Sequence, residues 1–138
     1  MRLQKATRCA LYAVLELASE PDRQMSANEI AEKYGISTNH LAKVLRNLGR
    51  EGLVEAVRGA GGGYRFAGNP KRTTLLDVIR LFETVETVSS GEREPGDETP
   101  EGKALSQVIE EIEATERATL NSISLATMLK LVGRHGAA

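Results

Sequence analysis

The stretch from Ser26 to Tyr64 constrains the fold of this chain more than any other part of it. Ser26 with Glu29 three residues on is a capping-box pattern: the hydroxyl takes an orphan amide and the carboxylate reaches back to the cap. Ile30 and Ala31, with Ala27 four residues before Ala31, give the helix that follows an inner face. Gly35 ends it, because a sharp exit needs the left-handed conformation that glycine accepts without strain. Ile36 fills the turn, and Ser37 or Thr38 caps a second helix. There Leu41, Val44, Leu45 and Leu48 recur at intervals of three and four, which is one buried stripe. A hairpin follows. Leu53 to Val57 and Tyr64 to Phe66 alternate apolar and polar, as short strands do, and Arg58-Gly59-Ala60-Gly61-Gly62-Gly63 lies between them. Helix, tight turn, helix and glycine-tipped hairpin outline a winged helix-turn-helix.

The second helix places Asn39, His40, Lys43, Arg46, Asn47 and Arg50 off its apolar stripe. A helix that reads DNA presents its N-terminal side chains to base edges and its cations to phosphates. Taken alone, the helix pair fits a solvated polar face equally well, and the hairpin shifts the balance. Four glycines at its tip remove side chains, and Arg58 and Arg65 flank them. A positive finger of bare backbone suits a minor groove or a row of phosphates. A nucleotide-phosphate loop is excluded in detail: no Lys-Ser or Lys-Thr follows, and the glycine spacing is not that of a dinucleotide fingerprint. A merely flexible turn stays open. The residues expected at DNA are Ser37, Thr38, Asn39, His40 and Lys43 in the major groove and Arg46 near phosphate. Arg58, Gly59, Gly61, Gly62 and Gly63 form the wing contact, and Arg2 and Arg8 touch the backbone or are solvated.

The formal net charge of −1 over 138 residues looks wrong for a DNA binder, but the halves differ. Residues 1–74 hold 12 Lys+Arg against 7 Asp+Glu, a surplus of +5, and residues 75–138 hold 6 against 12, a deficit of −6. A basic front and an acidic back match a DNA-facing module with a separate dimerisation module. No run of about 18 apolar residues is present, so no membrane span is expected. The apolar N-terminal segment is interrupted by Glu16 and recurs at helical spacing, which reads as a helix and not a signal peptide. One cysteine fits a reducing cytoplasm. No nucleophile–base pair, phosphate loop or metal-ligand set stands out, so neither an enzyme nor a metal site is expected.

Residues 1–83 are expected to form the winged helix-turn-helix domain. Its first helix spans roughly Leu3 to Ser19, with Leu11, Val14, Leu15 and Ala18 inward, and Thr74 with Asp77 caps a helix that closes the core with Leu75, Val78, Ile79 and Phe82. Residues 84–100 are polar, acidic and rich in glycine and proline, and read as a mobile loop. Residues 101–138 read as a dimerisation helix and a C-terminal short helix. Thr99-Pro100 starts the long helix, which runs to about Asn121 and carries Leu105, Val108, Ile109, Ile112 and Leu120. So long a helix has little remaining domain to cover its stripe, and a second copy of the chain is the natural partner. Ser124 caps a last helix from Leu125 to Leu131, and Gly133 to Ala138 reads as a frayed tail. The expected fold class is mainly α with a small β wing, plus a long C-terminal dimerisation helix.

The pattern resembles the Rrf-two family of bacterial winged-helix regulators over essentially the whole chain. Carrying it are Met1-Arg2-Leu3, Arg8, Tyr34-Gly35-Ile36-Ser37, Asn39-His40-Leu41, Lys43, Gly52-Leu53-Val54, Arg58-Gly59, Gly62-Gly63, Leu76-Asp77-Val78-Ile79 and Ser124-Leu125-Ala126. The Asn-His-Leu-x-Lys variant is most similar to the nitric-oxide-sensing repressors of the family. The resemblance implies a homodimer on a palindromic double-stranded operator, with recognition helices in major grooves, wings in minor grooves and long helices crossing at the dimer axis. Iron–sulphur members carry three cysteines before the long helix. Aligned from Thr99-Pro100, those positions fall on Gly91, Gly96 and Gly102, which have no side-chain ligand. No cofactor is therefore expected. The chain reads as a DNA-binding regulator, most simply a repressor, without a cluster. Two alternatives stay open: a redox- or ligand-responsive regulator sensing through Cys9 or a dimer pocket, and a winged-helix interaction module that does not bind DNA. For Cys9, a small buried apolar role on the first helix is the favoured reading.

Overall fold

A computed structural model describes residues 1–59, 62–83 and 94–136. Helix α1 (Lys5–Ser19) is the central element, in contact with the next three helices of the domain, the wing and the last helix. Helices α2 (Ala27–Tyr34) and α3 (Thr38–Arg50) form the helix-turn-helix. Strands β1 (Val54–Val57) and β2 (Gly63–Phe66) form the wing, antiparallel in the register Val54↔Phe66, Glu55↔Arg65, Ala56↔Tyr64 and Val57↔Gly63. Then come α4 (Leu75–Ile79), the long α5 (Pro100–Ser122) and α6 (Leu125–Gly136).

Local chemistry sets most of the boundaries. Ser26 and Glu29 make both bonds of the capping box, Ser26 Oγ accepting from Glu29 N at 3.1 Å and Glu29 Oε1 from Ser26 N at 3.2 Å. Gly35 closes α2 at φ 65°, where a side chain would be strained. Ser37 is the cap of α3: its Oγ accepts from His40 N. Thr74 and Asp77 form a second capping box on α4. Thr99 caps α5, accepting from Gly102 N at 3.0 Å while donating to the Gly96 carbonyl at 2.6 Å.

The core is built on Val14, Leu17, Ile30, Leu41, Leu45, Leu48, Val54, Val78 and Leu125, all essentially inaccessible. The inward face of α1 differs from the expected one. Val14 and Ala18 are buried as read, but Leu11 and Leu15 are half-buried, and the deepest positions include Ala10, Ala13 and Leu17. Alanines let neighbouring elements approach α1 on several sides, so its largest side chains are poor guides to its deepest face. The C-terminal segment also returns to the winged domain. Leu125 N donates to Thr73 O at 2.8 Å, Ala126 N to Pro70 O at 2.9 Å, and Leu75 N to Ile123 O at 2.9 Å. Helix α6 runs to Gly136, through residues read as tail. Residues 84–93 of the expected loop lie outside the described residues, and residues 94–99 lead into α5. Helix α5 has no buried residue along its 23 positions.

Candidate nucleic-acid interface

Helix α3 and the wing pack side by side, and a groove lined by Leu45, Arg46, Arg50, Val54 and Tyr64 runs between them. The wing is also tied to the start of α2. Met25 N donates to Tyr64 O at 2.9 Å, and Tyr64 N donates to Met25 O at 2.7 Å. Helix-turn-helix and wing are therefore cross-linked by backbone, and an exposed surface of one turns with that of the other.

On this frame Asn39, Lys43, Arg46, Arg58 and Gly59 are exposed. Among the described residues no carboxylate pairs with Lys43, Arg46 or Arg58. Unpaired cations on one rigid unit are what a polyanion needs, since each can displace a condensed counterion. Ser37 and Thr38 are already engaged within the fold, Ser37 as the α3 cap and Thr38 Oγ1 with Asn28 Oδ1 at 3.3 Å. His40 is half-buried, and its Nε2 is enclosed without a hydrogen-bond partner. Arg65 forms an ion pair with Glu55 across the hairpin, so of the two arginines beside the tip only Arg58 is free. Gly61 lies outside the described residues. Gly63 lacks a side chain for an internal reason: a Cβ there would stand 2.5 Å from Met25 O and 2.9 Å from Ser26 N. At Gly62 it would stand 2.6 Å from Val57 O. Arg2 and Arg8 are exposed at the start of the chain.

Reasoning from sequence missed a polar cluster behind this surface. Glu16, its side chain only 6% exposed, accepts from Lys33 Nζ at 2.6 Å, Tyr34 Oη at 2.7 Å and Arg23 Nη2 at 2.8 Å. Burial pushes its carboxyl upward, but the hydrogen bonds from Lys33, Tyr34 and Arg23 outweigh that and hold it down at about 2. Burial and the Glu16 carboxylate together push the Tyr34 phenol well up. The ring of Tyr34 stacks on that of Tyr12 with centroids 5.1 Å apart and planes 4° from parallel. The available signal is an acid within the apolar run from Cys9 to Ala18 of the first helix.

The thiol of Cys9 is 4% exposed, and burial pushes its pKa up. That is the opposite of an activated thiolate. On α5, Leu105, Val108 and Ile112 are exposed, while Ile109 and Leu120 are partly covered. An open groove beside that helix is lined by Met1, Val108, Ile112, Thr115, Thr119 and Leu120. No helix among the described residues is long and apolar enough to cross a membrane.

A family profile described as Rrf2, iron-dependent transcriptional regulator, matches residues 3–131. The chain belongs to the Rrf2 family. It is 57% identical over 132 residues to a protein of Rhodopseudomonas palustris provisionally named HTH-type transcriptional regulator BadM, covering 96% of this chain and 83% of that one. Among solved structures, IscR of T. potens superposes with a TM-score of 0.80 at 28% identity, over 100% of this chain and 93% of that one. CymR (YrzC), the global cysteine regulator of B. subtilis, gives a TM-score of 0.80 at 26% identity, over 95% and 98%. The Rrf2 winged-helix fold expected from the sequence is thus present, and the chain is a transcriptional regulator of that family and not an enzyme.

The iron in the family's description does not fit this chain's own residues. Of the three positions where iron–sulphur relatives carry cysteine, Gly91 lies outside the described residues. Gly96 sits at φ 91°, and Gly102 packs directly on it. A Cβ at position 102 would overlap the Gly96 carbonyl oxygen and stand 2.8 Å from its carbon and 2.9 Å from Asp97 Cα. Hydrogen bonds take up the same turn, with Glu94 N donating to Asp97 Oδ2 at 2.7 Å and Thr99 bridging Gly96 and Gly102. Among the described residues no three His, Cys, Asp or Glu side chains gather to hold a metal.

Proposed function

We propose that this chain is a cytoplasmic homodimeric repressor that binds a palindromic operator and works without an iron–sulphur cluster. Each protomer reads one half-site, with Asn39 and Lys43 at base edges in the major groove beside the polar start of α3. Arg46 and Arg58 neutralise phosphates, and the Gly59 end of the wing approaches the minor groove. Ser37 and Thr38 serve at the interface by fixing the start of α3. Arg2 and Arg8 add backbone contacts. The two half-sites lie about one helical turn apart, roughly 34 Å.

The observation that carries this reading is the free exposure of Lys43, Arg46 and Arg58 on one cross-linked helix and wing. The second copy is inferred from α5, whose Leu105, Val108 and Ile112 are 61%, 51% and 54% exposed. Monomers seldom leave so continuous an apolar stripe to water.

The test is selection of bound duplexes from a random pool, followed by titration of the winner across salt. Affinity falls steeply with salt, and Arg58→Ala weakens binding about tenfold while lowering the salt slope by about one unit. Affinity that hardly changes with salt, or a pool with no winner, rejects the reading in favour of an interaction module.

A further inference from the structure

We infer that Tyr12 and Tyr34 are positioning residues for DNA binding, holding the Arg8 guanidinium ready for a backbone phosphate beside the start of α3. This rests on the DNA-binding reading above. Arg8 is exposed, yet it is not loose: its Nη2 donates to Tyr12 Oη at 3.0 Å and its Cζ lies 5.9 Å from the Tyr12 ring centroid. An untethered arginine gives up rotamer freedom when it docks. One already held by a hydroxyl and a ring face gives up less, and its remaining N–H groups are still free for a phosphate oxygen.

The tether is itself anchored. Tyr12 stacks on Tyr34, Tyr34 donates to Glu16, and Glu16 is clamped by Lys33 and Arg23. Tyr34 is the last residue of α2, and Gly35 and the Ser37 cap follow at once. The stack therefore links Arg8, through the rings of Tyr12 and Tyr34, to the last residue before the turn that launches α3. Arg2 has no such support among the described residues.

The experiment uses the full chain and the duplex that the wild type selects from a random pool. Affinity is measured over a salt series for wild type, Tyr12→Phe, Arg8→Ala and the double variant, with thermal melts alongside. Tyr12→Phe keeps the ring and the stack and removes only the hydroxyl. It weakens binding about three- to tenfold at unchanged melting temperature. Arg8→Ala lowers the salt slope by about one unit, and in that background Tyr12→Phe changes affinity less than about twofold. Tyr34→Leu repeats the loss, and Tyr34→Phe, which keeps the stacking face but gives up the bond to Glu16, loses less than Tyr34→Leu. Equal losses from Tyr12→Phe in both backgrounds overturn the inference, as does no loss in either. If Arg8→Ala leaves affinity and slope unchanged, the inference falls while the wider DNA-binding reading stands. A pool without a winner overturns both.

Discussion

Glu16 is the residue on which the winged domain's polar interior turns. It joins α1 to the far end of α2 through Lys33 and Tyr34 and to the intervening turn through Arg23. Its carboxyl ionises at about 2 in the folded chain against an ordinary 4.5. Because the folded value is the lower one, its contribution is complete above pH 4.5 and is lost as pH falls toward 2. The shift corresponds to something on the order of 3 kcal/mol. Glu16→Gln is therefore expected to lower the melting temperature at pH 7 by roughly 5–10 °C. The gap to wild type should close on acidification, and a gap of constant size between pH 7 and pH 2.5 counts against this account. Cys9 gives a second test at this scale. Enclosed and with its pKa raised, it should resist alkylation in the native chain and react only on unfolding. Labelling at the native rate of a free thiol would reopen the case for a redox switch.

Among elements, the wing shows how a glycine can have a packing reason to be bare beside any role at DNA. The tip suggests backbone laid bare for DNA, but Gly63 is bare because Met25 and Ser26 press against it. Gly63→Ala should cost more than about 2 kcal/mol in a thermal melt, because backbone and not a movable side chain stands in the way. Had Gly63 served DNA alone, the melt would be unmoved and only affinity would drop. The elements whose causes are local were legible in sequence: the Ser26–Glu29 and Thr74–Asp77 capping boxes, Gly35 at its positive φ, and the α3 stripe. The exposure of Lys43, Arg46 and Arg58 also followed from helical period and hairpin alternation. What could not be read depends on partners distant in the chain. Glu16 meets Lys33 and Tyr34 across 17 and 18 positions, Gly63 meets Met25, and alanines rather than leucines mark the deep side of α1.

At the scale of the whole molecule, the basic and acidic halves of the sequence are not two separate bodies, because α4 and α6 of the acidic half pack against α1. The long α5 presents Leu105, Val108 and Ile112 to water, and a second copy is the occupant proposed for them. Ile112→Glu should give monomers by sedimentation and weaken operator binding more than tenfold, since the two half-sites are then engaged independently. A dimer that survives the substitution would place the pairing surface elsewhere. The attachment of α5 has a mechanical consequence. At its C-terminal end only Ile123 and Ser124 separate it from Leu125, which is sealed in the core, and three backbone hydrogen bonds stitch that joint to the strand-to-helix segment after the wing. The long helix is thus a lever bolted to the reading head without slack. Any tilt of its shaft near that joint must carry the head along or break those three bonds.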